Sequence, residues 1–134
     1  MRARVVIYNE QLKAILLINR IKKDRNYWVI PGGGAKGTET PVETAIREID
    51  EELQLKYRPE QLKQIFTLEE DEVQPVFWAE TTVTVAPKIS GEEVGRSNKD
   101  NIYRPAFVKV SDLKKVNLMP PEATDKILLA LENK

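Results

Sequence analysis

Glu48, Glu51 and Glu52 stand at positions i, i+3 and i+4 of one short segment. If that segment is helical, they span about 100° of one face, with neighbouring Cβ atoms about 5–6 Å apart. Like charges so placed repel by roughly a few tenths of a kcal/mol per pair, a cost that a bound cation would offset. Oxygen ligands without His or Cys select Mg²⁺, Mn²⁺ or Ca²⁺ over zinc. Arg47, four residues before Glu51, is placed to steer or partly neutralise it. A solvated, glutamate-rich helix face has the same spacing, and these residues alone do not separate the two readings.

The helix that must carry them is well marked. Thr40 is a capping residue, Pro41 fits the first helical position, and Glu43 completes a capping box. Val42, Ala45, Ile46, Ile49 and Leu53 then recur at helical spacing as an apolar stripe, with the carboxylates centred roughly 120° away from it. Before it, Arg4–Tyr8 and Lys13–Ile18 read as strands joined by a turn at Asn9-Glu10-Gln11. A basic loop, Arg20 to Asn26, leads to a short strand at Tyr27–Ile30, which Pro31 stops ahead of Gly32-Gly33-Gly34. After the helix, Leu62–Leu68 and Val76–Val85 read as strands, the second through the β-prone run Thr81–Val85. A polar loop spans Pro87 to Ile102. Tyr103–Val110 is a strand interrupted or edged at Pro105, and a last helix from about Pro121 buries Ala123, Ile127, Leu128 and Leu131. The order β-β-β-α-β-β-β-α indicates a mixed α+β sandwich rather than alternating βαβ units.

At 134 residues the chain is expected to form one domain, residues 1–134, able to bury a core without disulfides or a structural metal. It contains no cysteine and no histidine, which excludes thiol chemistry, Cys-based zinc sites and His general bases. No apolar run exceeds the five residues of Ala14–Ile18, so no membrane span is expected, and the first residues lack the pattern of a signal peptide. The expected compartment is the cytoplasm. Charge is balanced overall but uneven: eight basic against two acidic residues up to Lys36, five against fourteen from Gly37 to Glu93, and eight against five thereafter. An acidic centre between basic flanks argues against duplex nucleic acid as partner. It suits divalent cations with a phosphorylated ligand, or a solvated salt-rich surface.

Gly33, Glu39 six positions later, and Arg47-Glu48-Ile49-Asp50-Glu51-Glu52 form a pattern that resembles the signature of the Nudix hydrolase family, G-x5-E-x7-R-E-U-x-E-E-x-G-U, with U a bulky aliphatic residue. Trp28-Val29-Ile30-Pro31-Gly32-Gly33 is similar to that family's approach to its box. The box runs from Gly33 to Leu55, with Gln54 in place of the second glycine. That glycine usually lets the chain leave the helix with φ > 0; Gln there costs about 1 kcal/mol, unless the helix ends differently.

The resemblance implies a Nudix-type α/β/α sandwich with a mixed sheet between helices. It also implies a metal-dependent hydrolase, of the MutT-like branch, that cleaves a diphosphate linkage in a small nucleotide derivative. It implies Mg²⁺ or Mn²⁺ held by Glu48 and Glu52, with Glu51 as third ligand or base and the Gly32 carbonyl completing the inner shell. Arg47 belongs to the implied catalytic set with Glu51, Glu52 and Glu93; by position, Arg47 and Glu39 hold loop and helix together. Without histidine, the general base is a carboxylate or a metal-held hydroxide. Glu93, in the loop Ser90–Arg96, is the preferred candidate, with Glu92 its substitute and a solvated loop the alternative. Glu69-Glu70-Asp71-Glu72 reads first as a hairpin turn.

For substrate recognition, Arg4, Arg20, Lys22, Lys23, Arg25 and Lys36 are phosphate contacts or surface charges. Tyr27, Trp28, Phe77, Trp78 and Tyr103 stack a base or pack the core. The resemblance does not choose among nucleoside triphosphates, ADP-ribose, nucleotide sugars and dinucleoside polyphosphates. A Nudix-like module that senses a nucleotide without cleaving it is the rival of another class; loss of box carboxylates would favour it, and none is missing. Nudix domains often form homodimers, and the sequence shows no separable apolar stripe for such an interface.

Overall fold

The computed structural model describes residues 1–88 and 101–133. Strands β1 (Arg2–Asn9), β2 (Ala14–Lys22), β3 (Arg25–Val29) and β4 (Gly32–Gly34) precede helix α1 (Pro41–Leu53). After it come β5 (Lys63–Glu69), β6 (Val73–Glu80), β7 (Asn101–Lys109), β8 (Leu118–Met119) and helix α2 (Glu122–Glu132). The sheet runs β5-β6-β1-β2-β3-β8, with β4 paired to β1 and β7 to β2. It is mixed: β1 is parallel to β6 and antiparallel to β2 and β4.

Strand alternation assigns each face its own core. Val5 and Ile7 of β1, Leu16 of β2, and Phe77 and Ala79 of β6 pack with Ala45, Ile49 and Leu53 of α1. The intervening residues, Val6 and Tyr8, Ile15 and Leu17, Val76 and Trp78, pack with Ala123 and Ile127 of α2. Period-2 strands between two period-3.6 helices therefore give the α/β/α sandwich. Ile49 and Leu53 are fully buried, and truncating either to Ala would cost about 2–5 kcal/mol. Phe77 and Trp78 are core residues on opposite faces, the Trp78 ring tilted 5.1 Å from that of Tyr8, so neither is free to stack a substrate base. Trp28 packs against the α2-side core.

Besides the added short strands β4 and β8, three elements differ from the sequence reading. Arg20–Asn26 is no loop: β2 continues to Lys22 and pairs with β3 down to Lys22↔Arg25, leaving only Lys23-Asp24 as the turn. Cross-strand pairing on both sides of β2 holds this basic stretch extended. Thr81–Val85 does not extend β6. The neighbouring β1 ends at Asn9, whose side-chain amide caps the exit by donating to the Val83 carbonyl (2.7 Å), and Val83 and Val85 are exposed. Strand β7 starts at Asn101 and runs through Pro105 without a break, because its only partner among the described strands is β2 and the missing N–H can face outward. Residues 70–72 form the β5–β6 hairpin turn, where Glu72 pairs with the Met1 ammonium group (2.8 Å).

Candidate active site

Helix α1 starts as its sequence dictates. Thr40 Oγ1 accepts from the Glu43 N–H (3.2 Å), Glu43 Oε1 accepts from the Thr40 N–H (2.8 Å), and Pro41 occupies the first turn. The helix ends on Gln54, which adopts the left-handed conformation (φ 57°, ψ 30°) and donates its N–H to the Asp50 carbonyl. Gln54 thus takes the geometry that a glycine would take there at lower cost.

Between these ends the three glutamates meet three environments. Glu52 is buried, 6% exposed, and faces a cleft of about 90 Å³ also lined by Gly32, Arg2, Arg4, Arg20 and Tyr103. Glu48 is half-buried and lies against Gly33, with no room for a side chain between them. Glu51 points to solvent, with a side chain 47% exposed. Arg47 reaches between the last two, its Nη1 donating to Glu48 Oε1 (3.0 Å) and Glu51 Oε2 (3.2 Å).

Arg47 also ties the helix to the glycine strand. Its Nε and Nη2 donate to the two oxygens of Glu39 (2.6 and 2.9 Å), and Nη2 also donates to the Gly34 carbonyl (2.9 Å). Glu39 further accepts from the Lys36 N–H (2.8 Å) and the Thr44 hydroxyl (3.2 Å). This set of donors, Arg47 first, holds the Glu39 carboxyl down to about 2. The same pairing raises the pKa of Arg47. A bidentate guanidinium–carboxylate pair with further donors is a strong, directional joint.

The glycines set how closely strand and helix approach. A Cβ at Gly32 (φ 152°) would overlap the Ala3 carbonyl and stand 2.7 Å from Arg4 Cα, so only glycine fits where β4 meets β1. The Val5 N–H donates to the Pro31 carbonyl (2.9 Å), which fixes the entry to this turn beside the cleft.

Arg4 spans the cleft wall. Its Nε donates to Gln74 Oε1 (2.6 Å) and its Nη1 to the Ile30 carbonyl (2.7 Å). Burial, reinforced by Arg2, lowers its pKa to about 10, while Glu52 and two more distant glutamates oppose the shift.

The structure therefore brings Glu52 and Gly32 into one cleft and sets Glu48 beside the glycine strand. Glu51 lies on the outer side of the helix, and Arg47 faces the glycine strand through the Gly34 carbonyl. Glu92 and Glu93 lie outside the described residues. Of the expected phosphate contacts, Arg4 and Arg20 line the cleft; Lys22, Lys23 and Arg25 belong to the far end of the β2–β3 hairpin. Sequence reasoning missed Arg2 and Gln74. Arg2 was signalled by its i, i+2 spacing from Arg4 on one face of a strand; Gln74 carried no signal, because its partner is 70 residues away.

The donor set of Glu48, Glu51, Glu52 and the Gly32 carbonyl is all oxygen, which fits a hard divalent cation. Among the described residues, no three acidic side chains converge tightly enough to form a ligand cluster in this side-chain arrangement. Arg47 pairs with both Glu48 and Glu51 in this arrangement.

A mixed sheet between two helices, with a glycine strand abutting a glutamate-rich helix, defines a Nudix-type domain. The NUDIX domain family matches residues 1–128, and the chain belongs to the Nudix hydrolase family. Its fold is similar to an Ap4A hydrolase from C. elegans (TM-score 0.74, 18% identity, 99% of this chain and 97% of that one covered). It is also similar to a MutT protein from Methanosarcina mazei (0.68, 22%, 99% and 94%) and to a MutT structure from a study of the Aliivibrio salmonicida and Vibrio cholerae proteins (0.67, 15%, 98% and 96%). No curated protein matches the chain.

Proposed function

We propose that the protein is a metal-dependent hydrolase that cleaves the diphosphate linkage of a small nucleotide derivative, with Mg²⁺ or Mn²⁺ as its cofactor. The observation that carries this reading is the cleft itself: a buried carboxylate, Glu52, shares it with Arg2, Arg4 and Arg20. One cleft thus offers an oxygen ligand for a cation and guanidinium donors for phosphate oxygens. Glu48 and Glu52, with the Gly32 carbonyl, would hold the ion, and Glu51 would serve as third ligand or base. When bound, such an ion neutralises phosphate charge and lowers the pKa of a coordinated water. Arg4 orients the cleft wall through Ile30 and Gln74, and the Glu39–Arg47 joint sets the helix against the glycine strand. Glu93 is retained as the candidate base from the loop beyond the box. A cytoplasmic setting belongs to the same reading.

Arg47 bridging Glu48 and Glu51 supports one second reading, a domain that binds a nucleotide without cleaving it. One experiment separates them: product release from canonical and oxidised nucleoside triphosphates, ADP-ribose, nucleotide sugars and dinucleoside polyphosphates, with Mg²⁺ or Mn²⁺ and with EDTA, Glu52→Gln run alongside. Turnover that needs metal and is lost in the variant establishes the hydrolase. Binding without turnover establishes the sensor.

A further inference from the structure

Arg20 of β2 lies opposite Tyr27 of β3 on one side and Tyr103 of β7 on the other. Its guanidinium carbon is 5.5 Å from the Tyr27 ring centre and 4.3 Å from that of Tyr103, and Nη2 donates to the Tyr103 hydroxyl. Two aromatic rings in register thus hold one planar cation at the cleft. Its Nε is buried and has no acceptor among the described residues. Arg4 and Arg2 line the same cleft, and Arg4 is fixed by Gln74 and the Ile30 carbonyl. Among the described residues, three guanidinium groups line the cleft with one carboxylate, Glu52.

A diphosphate carries its charge next to the cation that the proposed function assigns to the helix glutamates. Three further positive groups exceed what that diphosphate needs, and two of them, Arg4 and Arg20, are held before any ligand arrives. We infer that the cleft selects a nucleotide with three or more consecutive phosphates, a nucleoside triphosphate or dinucleoside polyphosphate, over ADP-ribose and nucleotide sugars, with Arg20 as the specificity-determining residue. This rests on the hydrolase reading above. Arg20 grips the phosphate beyond the scissile pair, and Tyr27 and Tyr103 keep its plane from turning away.

The test measures kcat/KM for a nucleoside triphosphate, ADP-ribose and a nucleotide sugar in the wild type, Arg20→Met and Arg20→Lys. Calorimetric binding of inorganic tripolyphosphate and pyrophosphate is followed in parallel, and thermal midpoints report folding. The wild type should prefer the triphosphate by at least about tenfold, and Arg20→Met should lower that preference by about 10- to 100-fold. Lys lacks the planar fork and should restore only part of it; it carries the test if Arg20→Met lowers the midpoint. A wild type that prefers the diphosphate conjugates, or a ratio that moves less than about threefold, overturns the inference while leaving the hydrolase standing. If no nucleotide is cleaved, the hydrolase reading fails and binding decides: tripolyphosphate held no more tightly than pyrophosphate overturns the selectivity as well, whereas tighter binding that weakens about tenfold or more in Arg20→Met supports it.

Discussion

The Glu48 carboxylate fills the space that a side chain at Gly33 would occupy: a Cβ built there would come within 2.6 Å of Glu48 Oε1, and nearer still to its Cδ and Oε2. The neighbouring Gly32 instead abuts backbone, the Ala3 carbonyl and Arg4 Cα. Two adjacent glycines are thus required for different reasons, one by a carboxylate side chain and one by the sheet backbone.

Substitution should separate them. Gly33→Ala has only the end of a half-buried side chain to displace, so it should cost turnover about tenfold or more with little change in the thermal midpoint. Gly32→Ala meets backbone at φ 152° and should lower stability by about 2 kcal/mol or more. Urea titrations beside initial rates would show the split; equal stability losses at the two positions would refute it.

Glu52→Gln keeps the size of a side chain that is 6% exposed while removing its charge. Turnover should fall by at least about a hundredfold and the circular dichroism spectrum should be unchanged. Activity near the wild-type level would remove Glu52 from the chemistry.

Gln54→Gly should raise stability by up to about 1 kcal/mol, because Gln54 holds φ 57° at the helix end. Its urea midpoint, at unchanged slope, is the measurement. A lower midpoint would mean that the Gln side chain contributes more than its backbone strain costs.

The Glu39–Arg47 joint has a predictable acid limit. The Glu39 carboxyl is held at about 2, against an ordinary 4.5. A group with a depressed folded-state pKa stabilises fully above its unfolded value and loses that contribution as pH falls through the folded one. The stability difference between wild type and Glu39→Gln should therefore be constant above about pH 4.5 and shrink steadily toward pH 2. A difference that grows on acidification would contradict the assignment.

Much of the scaffold was legible because local signals agreed with tertiary demand. Thr40-Pro41-Val42-Glu43 announced a helix start, and the structure contains each of its bonds. The stripe ending at Ile49 and Leu53 named the face that is buried. The same logic failed at Thr81–Val85, where β-prone residues have no strand left to pair with among the described residues. It failed again at Arg20–Asn26, where charge suggested a loop and cross-strand neighbours made a hairpin. In the site, spacing identified the glutamate face but could not rank its members. That Glu52 is buried while Glu51 is exposed depends on what the helix packs against. The sandwich of Arg20 between Tyr27 and Tyr103 depends on register across strands as far as 83 residues apart, which no local pattern encodes.

Strand β1 lends its alternate residues to opposite sides of the sheet: Ala3, Val5 and Ile7 to one core, Val6 and Tyr8 to the other, with Arg2 and Arg4 in phase with the second set. Phase is therefore a shared possession of the two cores and the cleft. A single residue inserted between Arg4 and Val5 would leave composition and hydrophobicity almost untouched, yet it would put the arginines out of step with every apolar side chain that follows. The strand acts as a ruler whose markings are read by the fold and by the ligand together, so drift in its length is intolerable to both.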